Sequence, residues 1–154
     1  MREAIEVTAA TEIDAPADAV WDVLTDLEQF HDWNPFIRDA RGATAVGGTV
    51  RVRVRPSLRV PLVFHATVIA RDEPRALRWQ GKVLARWLGS GDHTFEIEPL
   101  GDHRSRFVQR EKFSGLLPRL AARLLTREAQ RGFDAMNRAL KERVERRGSA
   151  IHSA

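Results

Sequence analysis

The sequence predicts an α+β fold in which an antiparallel sheet lays its apolar face on one long carboxy-terminal helix. From Ile37 to Phe113, apolar residues recur at every second position between turn-forming segments, which is typical of strands buried on one face. From Pro118 to about Arg147 the apolar spacing changes to three and four, and within that run only Gly132 disfavours a helix. One strand and a pair of short helices precede the sheet, so we predict about seven strands in one domain.

The length and composition bound the class of protein. A chain of 154 residues can bury one real core, and we expect a single domain at 1–147 with a frayed tail at 148–154. Cysteine is absent, which excludes disulfides and thiolate chemistry. No apolar run approaches the ~20 residues of a membrane span, and Met1 leads into a strand-like pattern instead of a signal peptide. We therefore expect a cytoplasmic protein that is not integral to a membrane.

The basic charge of the chain does not by itself indicate a nucleic-acid partner. The formal charge is +4 and the sequence pI is near 10.5. Only Lys82, Lys112 and Lys141 among the 25 basic residues are lysines, and this preference for arginine is typical of a GC-rich, bacterial genome. A nucleic-acid groove would carry exposed aromatic residues between the basic ones, or a known motif, and neither is found. We expect no nucleic-acid partner.

The amino-terminal elements end in an unusually aromatic segment. Residues 4–14 are predicted to form the first strand, and Pro16 opens a short helix. The segment Phe30 to Phe36 is too aromatic for a free loop, and Pro35 forces Asn34 out of helical geometry. We expect this segment to fold back onto the domain as a lid or plug.

Charged residues form the solvent face of the predicted sheet. On three consecutive strands an acidic strand lies between two basic ones, through Arg78, Glu96, Glu98, Arg106 and Arg110. Opposite charges on neighbouring strands stabilise a sheet by ~0.2–1 kcal/mol each, so we interpret this row as sheet stabilisation. Arg51, Arg53 and Arg55 have no comparable partner row and are interpreted as a solvated face.

Two small residues interrupt the apolar face of the long helix. Ala129 and Gly132 stand where a helix packed directly on a sheet would carry Leu or Ile. Either they leave room for a cavity, or a bulky neighbour packs closely against them. The helix pattern alone favours neither interpretation.

Three polar residues fall on the sheet face that is predicted to cover the helix. His93, Gln109 and Glu111 alternate in step with phenylalanines on the same two strands. Buried polar groups without partners are costly, so these residues form either a satisfied core network or one end of a wet cavity. Their grouping at one end of the face favours the cavity.

The candidates for catalysis are weak. The chain has no cysteine, no serine in a Gly-x-Ser-x-Gly setting and no two histidines at helical ligand spacing, so we predict neither a covalent nucleophile nor a metal site. Glu111 with His93 can be assigned a general acid–base role. We expect no cofactor.

Several stretches resemble the START-like superfamily, and in particular its polyketide cyclase/dehydrase and lipid-transport branch, also called the SRPBCC or Bet v 1-like group. The opening resemblance covers Glu12-Ile-Asp-Ala-Pro-Ala-Asp-Ala-Val-Trp-Asp-Val-Leu-Thr-Asp26, Phe30 and Trp33-Asn-Pro-Phe36. The later stretches are Leu77-Arg-Trp79, His93-Thr-Phe-Glu-Ile-Glu-Pro99 and Phe107-Val-Gln-Arg-Glu-Lys-Phe-Ser-Gly115. The similarity runs from about Ile5 to Val144 and is distributed along the chain.

The resemblance implies the helix-grip fold, a curved seven-stranded antiparallel sheet wrapped around the carboxy-terminal helix, with two short helices between strands 1 and 2. It also implies a deep, mostly apolar cavity between the sheet and that helix. Members bind lipids, sterols, plant hormones or polyketides, and some cyclise or dehydrate polyketides. We expect the cavity to be lined by Trp33, Phe36, Phe64, Trp79, Trp87, His93, Phe95, Phe107, Gln109, Glu111, Phe113, Leu125, Ala129, Gly132, Phe133 and Met136.

Three functions follow, in order of preference. The first is binding or carriage of a hydrophobic small molecule in the cavity. The alternative is an enzyme of the polyketide cyclase/aromatase or dehydratase type, with Glu111 or His93 moving protons. An interaction module ranks last, because the sequence shows no obvious exposed apolar patch. A homodimer is left open.

Overall fold

A computed structural model of the chain describes residues 4–55, 61–82 and 88–153. The strands are β1 (Ile5–Ile13), β2 (Ile37–Gly42), β3 (Thr49–Val54), β4 (Leu62–Asp72), β5 (Ala76–Lys82), β6 (Ser90–Pro99) and β7 (Ser105–Ser114). The helices are α1 (Ala17–Thr25), α2 (Phe30–Trp33), α3 (Leu116–Leu120) and α4 (Ala122–His152), and a 3-10 turn (Leu27–Gln29) joins α1 to α2.

The strands form one antiparallel sheet in the order β1-β7-β6-β5-β4-β3-β2. Each strand from β2 to β7 pairs with the next along the chain, and β1 completes the sheet by pairing with β7. The register shifts after Ile37 and after Val68, and such irregularities bend a strand and increase its twist. The predicted α+β helix-grip fold is confirmed, since the curved sheet wraps around the long carboxy-terminal helix and two short helices lie between β1 and β2.

Strand alternation places the apolar residues on the concave face, against α4. Met136, Leu140 and Val144, from the carboxy-terminal half of α4, are at most 2% exposed. They belong to one cluster with the sheet and α1, which includes Ile13, Val20, Trp21, Leu24, Leu77, Phe95 and Phe107. Burial of each large apolar side chain contributes about 1.5–3 kcal/mol, so this filled half of the concave face is the main source of stability.

The carboxy-terminal helix differs from its predicted bounds at both ends. Helix α3 starts two residues before Pro118, which a first helical turn tolerates because the N–H that proline lacks has no helical partner there. The chain leaves helical geometry at Ala121 (φ −108°, ψ 24°), and α4 then continues to His152, through residues expected to be frayed. The Leu117 N–H donates to the Leu88 carbonyl oxygen (2.9 Å), so the loop before β6 also holds α3 in place.

The aromatic segment before β2 folds back onto the domain. Asn34 Oδ1 accepts hydrogen bonds from the backbone N–H groups of Phe36 (3.0 Å) and Ile37 (2.9 Å), which turns the chain around Pro35. The turn directs the Phe36 ring against α4, where it packs edge-on against Phe133 with the ring centroids 5.8 Å apart. The expected plug is therefore the Phe36 side chain.

Ion pairs cross the convex face of the sheet. Arg110 pairs with Glu96 at 3.5 Å, as expected for an acidic strand between basic ones. Arg78 instead pairs with Asp92, with 2.7 Å between its Nε and the carboxylate Oδ1. The hydrogen bond from Arg78 lowers the pKa of Asp92 below its ordinary value. These charged residues lie on the side of the sheet that faces away from α4.

Candidate ligand cavity

A cavity of about 350 Å³ lies between the concave face of the sheet and the amino-terminal part of the carboxy-terminal helices. It is bounded by the ends of β5 and β7, the start of β6, and α3 with the first turns of α4. A cavity of this size with mainly aliphatic and aromatic walls suits a small apolar ligand. Its lining residues are Phe36, Ile37, Val52, Val54, Leu62, Phe64, Trp79, Gly81, Lys82, Gly89, Ser90, Gly91, His93, Glu111, Phe113, Leu117, Pro118, Ala121, Leu125, Glu128, Ala129 and Phe133.

Small residues on opposite walls shape the cavity. Gly81 of β5 and Gly91 of β6 are paired across the two strands on the concave face. A Cβ at Gly81 would lie 2.9 Å from the Phe64 ring, and a Cβ at Gly91 would lie 2.2 Å from Glu111 Oε1. Ala129 forms part of the facing wall on α4. The two glycines therefore allow Phe64 and Glu111 to fold across the strands, and larger residues would displace them.

Gly132 has a different structural role from Ala129. A Cβ at position 132 would lie 2.3 Å from a ring carbon of Phe36, so the glycine is needed for the close approach of that ring to α4. Phe36 itself borders the cavity, and Gly132 lies behind it. Of the two interpretations given for the small helix residues, close packing of a bulky neighbour applies to Gly132, and room for a cavity applies to Ala129. Ala129 borders the cavity, and the expectation that Gly132 does so is corrected.

A chain of four buried polar side chains runs from the cavity wall into the domain. His93 and Glu111 are paired across β6 and β7, and His93 Nδ1 contacts Glu111 Oε2. On the other side of the ring, His93 Nε2 lies 3.1 Å from Gln109 Oε1. Gln109 Nε2 donates in turn to Asn137 Oδ1 of α4 (2.6 Å). The predicted grouping of His93, Gln109 and Glu111 on one face is present, and Asn137 extends it to the helix.

The direction of these hydrogen bonds defines where protons lie. Because Gln109 donates through Nε2, its Oε1 accepts, and His93 Nε2 must be the donor. One proton then lies between His93 Nδ1 and Glu111 Oε2. Whether it belongs to the ring or to the carboxyl group, the pair has no net charge, which suits an apolar cavity. Glu111 Oε1 makes no hydrogen bond to a described residue.

Aromatic contacts hold the His93 ring in this orientation. The ring stacks on Phe95, with 4.2 Å between centroids and 28° between planes, and meets Phe133 edge-on at 5.0 Å. Both ring nitrogens are occupied, by Glu111 and Gln109. Of these four side chains, His93 and Glu111 line the cavity, and Glu111 is the one with an oxygen that no described residue occupies.

The structure places the predicted lining residues in two groups. On the cavity wall are Phe36, Phe64, Trp79, His93, Glu111, Phe113, Leu125, Ala129 and Phe133, whose contact with a ligand stays a prediction. Away from the wall are Trp33, Phe95, Phe107, Gln109, Gly132 and Met136. Phe95, Phe107 and Met136 belong to the filled core, and Trp33 packs edge-on against Phe30 at 5.1 Å. Trp87 lies outside the described residues.

Sequence reasoning missed several residues of the site. Asn137 follows Phe133 by four residues, so helical periodicity places both on the same face. This spacing is a signal from which Asn137 could have been predicted. Gly81 and Gly91 gave a weaker signal, because glycine within a strand marks a bulge, a bend or a close approach without distinguishing them. Lys82 and Glu128 add charged groups to the wall, and nothing in their local pattern marks them.

The described residues contain neither a metal-binding cluster nor a membrane-spanning helix. Within 4–55, 61–82 and 88–153, no group of three or more His, Cys, Asp or Glu side chains is arranged to hold a metal ion. None of the helices in the same ranges is long and apolar enough to cross a membrane.

A family model described as "Polyketide cyclase / dehydrase and lipid transport" matches residues 4–145. The chain belongs to this family. The match covers every strand and most of α4, so the family assignment concerns the whole helix-grip domain. A comparison with curated protein sequences gave no match.

Solved structures with the same fold include proteins with different names and functions. The Zhui aromatase/cyclase from Streptomyces sp. R1128 is 21% identical, with a TM-score of 0.79 over 94% of this chain and 96% of that one. A START superfamily protein from Mycobacterium smegmatis is 21% identical, with a TM-score of 0.75 over 92% and 97%. Norcoclaurine synthase from Thalictrum flavum is 15% identical, with a TM-score of 0.74 over 96% and 98%. At these identities the likeness extends to the fold alone.

Proposed function

We propose that this member of the family binds or carries a hydrophobic small molecule, such as a lipid or a polyketide, whose one polar group contacts Glu111. The observation that carries the proposal is the composition of the cavity wall. Most of the wall is apolar, and one inner side presents the buried Glu111–His93 pair. Because Glu111 Oε1 has no partner among the described residues, a hydroxyl group or another hydrogen-bond donor on the ligand would satisfy it.

Native mass spectrometry of the purified protein tests for a molecule that copurifies with it. In parallel, an apolar fluorescent probe reports on the cavity directly. Ala129→Leu adds volume at the wall and should reduce probe affinity by at least about tenfold. Ala150→Leu makes a chemically identical change at an exposed site near the end of the same helix and should have no effect. Equal probe binding by both variants and the wild type would argue against a ligand in this cavity.

A second candidate function is an enzyme of the polyketide cyclase/aromatase or dehydratase type in the same cavity. The specific observation in its favour is the direct contact between His93 Nδ1 and Glu111 Oε2 on the cavity wall. Loss of water from a β-hydroxy carbonyl compound needs a base to remove a proton from the carbon next to the carbonyl, and an acid to protonate the departing hydroxyl. Glu111 can do either, with His93 accepting or returning the proton.

Replacement of the carboxyl group separates the two functions. Glu111→Gln keeps the size of the side chain and removes its ability to carry a proton, so an enzyme should lose roughly 10²–10⁴-fold in turnover while ligand affinity changes little. A binding protein should show a modest change in affinity and no turnover in either form. Glu128→Gln, at a second carboxylate on the cavity wall, is the matched control. If the wild type leaves the copurified ligand unchanged over hours, the enzyme function is excluded for that ligand.

The cytoplasmic location and the homodimer are not needed for either function and stay predictions. The absence of a nucleic-acid partner is also a prediction, and gel retardation at moderate salt would test it.

A further inference from the structure

An exposed apolar surface lies beside the part of the cavity wall formed by Leu117, Pro118 and Ala121, although no exposed apolar patch is evident in the sequence. Helix α3 buries none of its side chains. Leu116, Leu120 and Leu124 recur at intervals of four and are 47%, 76% and 48% exposed. The neighbouring Leu117 is also exposed and lines the cavity, so this surface is continuous with the cavity wall. Leu116, Leu120 and Leu124 each lie one position before the residues of the apolar helix face that begins at Leu117.

Arginines flank these leucines at the same interval. Arg119 and Arg123 directly precede Leu120 and Leu124, and Arg127 continues the series by one further turn. All three are exposed, and none forms an ion pair with a described residue. We call the six residues the mouth surface: Leu116, Arg119, Leu120, Arg123, Leu124 and Arg127. An apolar stripe beside a row of basic side chains is the pattern of helices that lie in the interface of a lipid bilayer.

We propose that the mouth surface docks on an anionic lipid bilayer and that the ligand passes there between the bilayer and the cavity. The second part rests on the proposed ligand-binding function, whereas docking itself does not. Each arginine near an anionic membrane surface favours binding by roughly fivefold, and each inserted leucine adds hydrophobic burial. Leu117, Pro118 and Ala121 line the cavity directly beside the mouth surface, so a molecule leaving the bilayer at this point would have only a short distance to travel to the cavity.

Charge and shape favour a bilayer over two other occupants. In a dimer with twofold symmetry, the same surface of each copy would meet the other and bring the arginines of both copies together without acidic partners. A protein partner would need an acidic surface with a groove that fits a projecting short helix. A bilayer supplies negative charge and deforms around exposed leucines, so it needs no preformed shape. An acidic protein is retained as an outcome of the test.

Vesicle flotation tests docking. The full chain is mixed with vesicles of phosphatidylcholine alone, or of phosphatidylcholine with phosphatidylglycerol, at low and at physiological salt. We expect binding to the anionic vesicles, weaker binding at higher salt because screening shortens electrostatic interactions, and little binding to phosphatidylcholine alone. The substitutions Arg119→Gln, Arg123→Gln and Arg127→Gln together should weaken binding by roughly 10- to 100-fold, and Leu120→Ser with Leu124→Ser by roughly tenfold.

The control variants match these changes in charge and hydrophobicity. Arg75→Gln, Arg106→Gln and Arg147→Gln together remove the same charge from exposed sites away from the mouth, and Leu100→Ser alters an exposed leucine in the β6–β7 turn. Both controls should bind vesicles like the wild type. All variants should keep the wild-type melting temperature and probe uptake without vesicles, because none of the altered residues lines the cavity.

Two results would overturn the proposal in distinguishable ways. If the wild type does not bind anionic vesicles while probe uptake is intact, docking fails and ligand binding stands, and an acidic protein becomes the preferred occupant. If the charge-matched control loses as much binding as the mouth variant, attraction is a property of net charge and the mouth surface has no special part in it. If the wild type takes up no probe, the result counts instead against the proposed ligand-binding function.

Discussion

The two halves of the concave face share one sheet and one helix, yet one half is filled and the other is hollow. Under the carboxy-terminal half of α4, Met136, Leu140 and Val144 meet large side chains from the sheet and α1. Under the amino-terminal half, Leu125 and Ala129 face the cavity. The difference comes from residue size and from α1, which covers only the filled half. The hollow half is therefore encoded by particular small residues and does not result from loose packing.

The polar chain marks the border between the two halves. Glu111 and His93 lie on the cavity wall, while Gln109 and Asn137 lie behind it, against the filled core. A buried polar network is stable only where its members are satisfied, and here three successive contacts satisfy most of them. This arrangement places the His93–Glu111 pair on the cavity wall of an otherwise apolar interior.

The largest expected difference between the two halves is the cost of removing a leucine. Leu140→Ala leaves a void in the filled core and should lower the free energy of unfolding by about 2–5 kcal/mol. Leu125→Ala only enlarges an existing cavity and should cost less than about 1.5 kcal/mol, because the side chain is already partly exposed. Urea denaturation of the two variants measures both values. Equal losses would mean that the cavity is closed and filled in solution.

A smaller effect is expected at the border. Gln109→Leu leaves both His93 Nε2 and Asn137 Oδ1 without a partner, and each buried unsatisfied group costs about 1–3 kcal/mol. Asn137→Leu leaves only Gln109 Nε2 unpaired, and Asn137 Nδ2 has no partner among the described residues to lose. Gln109→Leu should therefore be the more destabilising of the two in urea denaturation. If Asn137→Leu were the more destabilising variant, the polar side chains would depend mainly on their contact with α4.

The fold was predictable because its signals are local and repeated. Alternation in the strands and helical spacing after Pro118 each recur over many residues, so a few irregular positions do not obscure them. The inward direction of Glu111 followed from strand periodicity alone, and the structure bears it out. A hairpin turning about Gly101 predicts that His93 lies opposite Gln109 with Glu111 close by, whereas in the structure His93 pairs with Glu111, two residues further along β7.

The details of the site were less predictable because they depend on contacts between distant segments. Phe36, nearly a hundred residues earlier in the chain, determines the roles of the two small helix residues. Its ring packs against Gly132, whereas Ala129 is left beside the cavity. The break at Ala121 depends on where the loop before β6 holds α3, which no local pattern records. Spacing places Leu120 and Leu124 off the buried face of the helix, but their exposure could not be known before the packing of the neighbouring segments was seen.

The two glycines of α4 offer a comparison in which the sign of the effect should differ. Replacing either by alanine favours the helix by up to about 1 kcal/mol. A Cβ at Gly148 meets nothing within 4 Å, so Gly148→Ala should raise the melting temperature slightly. At Gly132 the new methyl group would displace Phe36, and the resulting strain of about 1–3 kcal/mol should outweigh the gain. A stabilised Gly132→Ala variant would show that Phe36 can move without cost and that the plug is loose.

The smallest expected effect lies on the convex face, where charges replace apolar packing. Arg78 lowers the pKa of Asp92 through its hydrogen bond, so the ionised carboxylate stabilises the folded state. Stability from this source is complete above the ordinary aspartate pKa of about 4, and it is lost as the pH falls through the lowered folded-state pKa. Because Arg78 is exposed to solvent, we expect at most about 1 kcal/mol at pH 7, and less in high salt.

The test of this contribution is the pH dependence of Asp92→Asn relative to the wild type, followed by thermal unfolding. The two proteins should differ most near neutral pH, and the difference should shrink as the pH is lowered below 4, because the wild type then loses the ionised carboxylate that the variant never had. Asp102→Asn, at an exposed aspartate in the β6–β7 turn, controls for the loss of one negative charge. A difference that stays constant down to strongly acidic pH would assign the effect to packing of the side chain. Side-chain packing would then contribute to stability on the convex face, as it does on the concave face.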